Sequence, residues 1–209
     1  GLTKMSMAHT KSRRAATDMG ARYLSMPDYS WELLEDPALM TDYRSQAPAV
    51  SRISNLLTKG YSLWVGGRAG TDLTLEISGR NGNDCPGFVD RPGTLGSPPD
   101  IEANIAPLEN GSYGTVVVDG SIPCKNIGLL EAPVALFIEA GYIVDMRGDV
   151  KTVDTLNAMF DEAGEKSRVL AECGIGLNKD AQIKGNMLTD EGACGSMHFG
   201  FGANGTIGG

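Results

Sequence analysis

Three residues, far apart in the chain, have types and surroundings suited to metal chemistry: Glu102, Glu172 and His198. His198 is one of only two histidines. It sits in GSMHFGFG, where Gly195, Gly200 and Gly202 let backbone approach closely and Met197 and Phe199 alternate with it along an expected strand. Glu172 stands beside CGIG among small and apolar residues, where a carboxylate is costly to bury unless a positive charge pairs with it. A divalent metal ion is the obvious such charge. Glu102 heads the extended segment of SPPDIEANIAP, with Ile101, Ala103 and Ile105 on one face and Glu102 and Asn104 on the other. Taken singly, each has a plainer reading: a satisfied strand histidine, or a carboxylate facing solvent. No His-Glu-x-x-His or Cys-x-x-Cys is present, so local spacing identifies no zinc site.

The elements that must position these residues follow from periodicity. KSRRAATDMGARYL (11–24) reads as an amphipathic helix with Ala15, Met19 and Tyr23 in one row and Thr10 or Ser12 as cap; His9 before it reads as solvated. A short helix is expected from Ser30, with Glu32 at its positive end, and a longer one over 41–58 that stops at Gly60. Pro48 predicts a kink, or two helices meeting. Beyond Gly60 the period becomes alternating. YSLWVGG and TDLTLEIS read as paired strands with Leu73, Leu75 and Ile77 on one face, and Asp72 is expected to hold the turn backbone. A strand over Thr115–Val118 precedes a hairpin in VALFIEAGYIVDMRG, with Gly141 in its turn and Val134, Phe137, Tyr142 and Val144 packing. VDTLNAMFDEAGEKSRVLAEC reads as helical, leading directly to Glu172, and Asp190 and Glu191 read as caps of a short helix.

The 209 residues are 41% hydrophobic with a net charge of -8, an ordinary globular composition with enough chain for a sizeable core. Scattered Lys and Arg in an acidic chain argue against a nucleic-acid partner. No apolar run approaches the roughly 20 residues of a membrane span. Cys85, Cys124, Cys173 and Cys194 lack the density of a disulfide scaffold, so reduced thiols in a cytoplasmic protein are expected.

Residues 171–209, AECGIGLNKDAQIKGNMLTDEGACGSMHFGFGANGTIGG, resemble the C-terminal part of the aminopeptidase T family of metallopeptidases, often labelled leucyl aminopeptidases. HTKSRRAATDMGARYLSMP resembles that family's His-Thr-x-x-Arg segment, and SPPDIEANIAP its Pro-x-Gly-Glu-x-x-x-Ala-Pro segment, with Ile101 in place of the usual Gly. The resemblance implies an α+β chain. Residues 1–60 would be a helical segment closing an N-terminal α/β domain, and 61–209 a β-rich, mixed-sheet metal-site domain truncated at its C-terminus. It places metal ligation on Glu102, Glu172 and His198, which should converge. It implies two divalent ions (Zn, Co, Mn or Mg) activating water for removal of the N-terminal residue of a peptide substrate, and a homodimer. The family's His-x-Asp pair falls beyond Gly209 and its catalytic tyrosine has no match, so an incomplete catalyst is expected. A second family of the superfamily, the iron(II)-dependent 2,5-dihydroxypyridine dioxygenases, shares this frame. Its pattern implies a histidine at position 172, an apolar residue at 198 and no carboxylate at 102, which ranks the peptidase first; a metal-stabilised binding module stands third.

Overall fold

A computed structural model describes residues 2–124 and 127–209; Gly1, where the expected first segment opens, lies outside them. The protein mixes helices with sheets whose larger members are antiparallel, parallel pairing being found in the two-residue strands Leu2–Thr3 with Met26–Pro27 and Tyr23–Leu24 with Leu95–Gly96, in keeping with an α+β class. Helix α1 spans Lys11–Asp18, α2 Tyr43–Lys59, α3 Val150–Ala163 and α4 Met187–Gly192. The longer strands are β1 (Ser62–Gly66), β2 (Asp72–Glu76), β3 (Asn83–Cys85), β4 (Glu102–Ile105), β5 (Ser112–Val118), β6 (Val134–Glu139), β7 (Tyr142–Arg147), β8 (Leu170–Gly176) and β9 (Met197–Phe201). They form a five-stranded sheet in the order β7-β6-β5-β2-β1 and a four-stranded sheet in the order β9-β8-β4-β3.

Both sheets turn apolar side chains into one core. Leu73, Leu75 and Val116 enter it from the larger sheet, and Ala103, Ile105 and Cys173 from the smaller. Helix α2 lies against β4 and β3 and adds Val50 and Leu57. Asp42 caps it by accepting from Ser45 N at 3.2 Å, and Gly60 ends it. The helix runs through Pro48 as one element, so two helices do not meet there. Burial of Gln46, Val50, Ser54 and Leu57 along one stripe offsets the roughly 3 kcal/mol that an interior proline costs.

Helix α1 is shorter than its periodicity suggests and faces the other way. Thr10 caps it, accepting from Arg13 N at 3.2 Å, but its buried residues are Arg13 and Thr17. Met19, from the expected apolar row, is 91% exposed. Ser30 caps the Trp31–Leu34 turn as expected, accepting from Leu33 N at 3.3 Å.

The β1-β2 pair forms as expected, with Leu73, Leu75 and Ile77 buried. Asp72 accepts from the Trp64 indole at 2.8 Å across the pair instead of holding the turn. In the β6-β7 hairpin the packing face is shifted. Ile143 and Met146 are buried, whereas Tyr142 and Val144 are exposed, because the register slips between Phe137 and Ile138 and reverses the parity of the return strand. The expected helix into Glu172 also stops early. Gly164 ends α3, a single 3-10 turn follows over Glu165–Arg168, and Glu172 falls inside strand β8. No described helix is long and apolar enough to cross a membrane.

The hairpin turn depends on Gly141. Its φ is 77°, its N–H donates to Ser112 O at 2.8 Å, and a Cβ there would fall 1.8 Å from Glu109 O. Gly141→Ala should therefore destabilise the protein by about 2 kcal/mol or more, read as a lower urea midpoint. An unchanged midpoint would contradict this close approach of the turn to Glu109.

Candidate metal centre

The period of two along the four-stranded sheet sorts it into an apolar face, packed into the core, and a polar face. In register, Gly174 of β8 lies opposite Asn104 of β4 on one side and His198 of β9 on the other. Gly176 lies opposite Glu102, which in turn lies opposite Cys85 of β3, and Glu172 lies opposite Gly200. Alternation thus puts Glu102, Glu172 and His198 on one face, from three adjacent strands. One donor atom of each lies within 4.8 Å of the others. The three expected residues do converge.

Gly174 is what leaves room for them. A Cβ at this position would fall 2.1 Å from His198 Cε1 and 2.6 Å from Glu102 Oε2. Any side chain there would fill the space between the donors.

A short chain of amides orients Glu102. Asn83 Nδ2 donates to Asn104 Oδ1 at 2.8 Å, and Asn104 Nδ2 donates to Glu102 Oε1 at 2.6 Å. The other carboxylate oxygen, Oε2, lies 3.0 Å from His198 Nε2. That contact is not aligned as a hydrogen bond, and Glu102 Oε2 and His198 Nδ1 are both buried without a hydrogen-bond partner. Such orphaned atoms are rare in folded proteins, and their presence beside three donors fits a site for a metal ion. Two ligands bound side by side at about 2.1 Å from an octahedral ion sit about 3 Å apart, which the Glu102–His198 separation matches. Carboxylate oxygens with an imidazole suit a hard or borderline divalent ion, iron(II) included.

Glu102 and Glu172 line a cleft of about 500 Å³ together with residues not expected from the sequence to belong to a site. Asp100 and Glu191 line it, as do Cys85, His9 and Arg13. Asp100 Oδ1 is a further buried oxygen without a partner. Asp190 and Glu191 do not cap helix α4; Asn186 does, accepting from Leu188 N at 3.1 Å. Asp190 instead takes the Lys184 and Gly185 amides at 2.7 and 2.8 Å and the Ser121 hydroxyl at 2.6 Å. Its neighbour Glu191 turns to the cleft, since adjacent helical residues diverge by about 100°. No local motif marks either carboxylate as part of a site.

Burial, together with the charge of Glu102, pushes Glu172 up to about 8 against the partial relief of His198. Burial likewise pushes Glu191 up to about 7, again with His198 opposing. Burial alone would lower His198, but the surrounding carboxylates, Glu102 foremost, raise it to about 10. Burial raises Glu102, yet the charge of His198 and the hydrogen bond from Asn104 bring it below its usual value.

The sign of the resulting pH dependence is fixed. Between about 4.5 and 8 the folded protein keeps protons on Glu172 and Glu191 that the unfolded chain releases, so stability falls as pH rises through this interval. His198 acts in the same direction, its contribution being complete below 6.5 and lost as pH rises through about 10. Metal-free protein should therefore melt at a lower temperature at pH 8 than at pH 5, and saturating divalent metal should flatten that slope. A metal-free melting temperature that rises over the interval would contradict the burial of these carboxylates.

A family model described as 2,5-dihydroxypyridine 5,6-dioxygenase matches residues 2–205. No curated protein matches the chain. The solved structure of 2,5-dihydroxypyridine dioxygenase from Pseudomonas putida KT2440 superposes with a TM-score of 0.82 at 24% identity, over 100% of this chain and 62% of that one. Wild-type AmpT from Thermus thermophilus superposes with a TM-score of 0.62 at 19% identity, over 81% of this chain and 44% of that one. The chain thus spans less than two thirds of the length of either solved protein, and at these identities the likeness is one of fold. The family match overturns the aminopeptidase assignment and the hydrolase chemistry that went with it. The ranking had rested on Glu102, Glu172 and His198, and such a donor set suits an ion that activates water as well as one that activates oxygen. The chain belongs to the 2,5-dihydroxypyridine 5,6-dioxygenase family.

Proposed function

We propose that this chain carries the metal-holding part of an iron(II)-dependent dioxygenase that opens a hydroxylated aromatic ring of the 2,5-dihydroxypyridine type. The convergence of Glu102, Glu172 and His198, with buried donor atoms left unpaired, carries this reading inside a chain of that family. Iron(II), when bound, supplies the one-electron chemistry by which dioxygen reacts with a closed-shell ring. In such a reaction a ring carbon–carbon bond breaks and both oxygen atoms end in the product, so no water is consumed.

The chain's own groups supply the rest. Glu102 and Glu172 offer carboxylate oxygens and His198 an imidazole nitrogen to one ion, and Asn104 keeps Glu102 aimed at it. Phe88, Leu95 and Leu188 give the cleft apolar wall against which a ring packs and from which water is displaced. His9 stands exposed at the mouth, its Nδ1 3.0 Å from Thr206 Oγ1. Partial burial of its ring, with the charge of Arg13, lowers its pKa. That shift favours the neutral imidazole, the form suited to take a proton from a ring hydroxyl.

Full-length protein reconstituted with iron(II) should consume one dioxygen per 2,5-dihydroxypyridine lost, read by an oxygen electrode alongside ring absorbance. Glu102→Gln, Glu172→Gln and His198→Ala should each lower turnover about 100-fold or more, and Asn104→Ala should weaken iron binding by about 10- to 100-fold. Ring loss without oxygen uptake, or full turnover in the ligand variants, would sink the proposal.

A further inference from the structure

Glu172 borders two cavities. One is the cleft of about 500 Å³; the other, of about 160 Å³, is bounded by β8, β9 and the segment that follows β9. Ala171, Phe201, Ala203 and Ile207 give the smaller cavity an apolar wall, and His9 and Glu172 are its polar side chains. His9 already faces Thr206 Oγ1 through Nδ1 at 3.0 Å. His9 and Ile207 line both cavities and so stand between them, with the Ile207 carbonyl accepting from Asn83 Nδ2 at 2.9 Å.

Gly200 opens the smaller cavity to the metal donor. It lies opposite Glu172 in register, and a Cβ there would fall 3.1 Å from Glu172 Cβ and 3.2 Å from Glu172 Oε2. Its φ lies outside the left-handed region, so the backbone does not call for glycine. A glycine inside a strand gives up packing, and marks a place that another group approaches closely. Gly174 thus clears the space between the donors, and Gly200 clears the space beside Glu172 on the side of the smaller cavity.

The two cavities differ in what they can hold. A water molecule needs about two to four polar partners, which an apolar wall with one free carboxylate supplies poorly. A hydroxylated ring finds its polar partners in the larger cleft and, once seated, fills that route to the donors. Dioxygen is small and apolar, so it gains by leaving water for an apolar surrounding. We propose that the smaller cavity is a binding site for dioxygen, through which it reaches the donors separately from the ring. The identity of the gas rests on the dioxygenase reading above; the site rests on the cavity and on Gly200.

Xenon, an apolar probe that enters cavities of roughly 150 Å³, tests the site in pressurised crystals without turnover. Wild type should show an anomalous peak within about 4.5 Å of Ala171, Ala203 and Ile207. Ala203 is exposed and borders the smaller cavity but not the cleft, so Ala203→Phe should fill the cavity and abolish the peak. No peak in wild type, or an undiminished one in Ala203→Phe, would overturn the proposal. In iron(II)-loaded protein, Ala203→Phe should raise KM for dioxygen about 3-fold or more and leave KM for the ring unchanged. A raised KM for the ring with that for dioxygen unchanged would overturn the assignment to dioxygen. Should Ala203→Phe fail to fold, Ala203→Leu takes its place, and the wild-type xenon peak decides in either case. Missing oxygen uptake in wild type would count against the dioxygenase reading, whereas missing xenon counts against this site.

Discussion

The structure turns on one electrostatic constraint: two carboxylates and an imidazole are drawn together on the polar face of a sheet whose other face is core. Like charges at this separation in a low-dielectric site repel strongly, and each carboxylate also loses hydration. Loss of hydration on burial, with the neighbouring carboxylates adding to it, is why Glu172 and Glu191 hold protons far above the usual carboxylate range. The surrounding architecture serves to keep the donors where they are. Alternation along β4, β8 and β9 fixes their common face, and Gly174 keeps the space between them clear.

The same constraint explains how the rest of the cleft is used. Asn104, itself held by Asn83, satisfies one oxygen of Glu102 and leaves the other bare, so the carboxylate is oriented without being neutralised. Helix α1 brings a cation and His9 to the same cavity, which is therefore charged in both senses. A cavity of this kind favours a ligand with distinct ends over a purely apolar one. The metal donors set what chemistry is available there, and the remaining wall sets what the chemistry is applied to.

Much of this was legible in the sequence where a period of two acts over a few residues. Glu102 and Asn104 could be set opposite Ile101, Ala103 and Ile105 because alternation is a local property, and the Leu73, Leu75 and Ile77 face followed for the same reason. What failed depended on events outside the window. The slip between Phe137 and Ile138 reverses the face of Tyr142 and Val144, and nothing in their own spacing reveals it. Arg13 is buried by the cleft against the amphipathic pattern of its helix. Asp100 and Glu191 join the site from a loop and a short helix, so only the fold brings them there. The reaction was misread because the dioxygenase pattern was taken to lack Glu102, Glu172 and His198, whereas this chain of that family carries all three, and residue types alone do not separate the two chemistries.

Crystallographic anomalous scattering from protein loaded with iron(II) in the absence of oxygen tests the central claim most directly. The account predicts a single strong peak about 2 to 2.3 Å from Glu102 Oε2, a Glu172 oxygen and a His198 nitrogen, with Gly174 backing it. A peak ligated elsewhere, or none while His198 remains 3.0 Å from Glu102 Oε2, would contradict it.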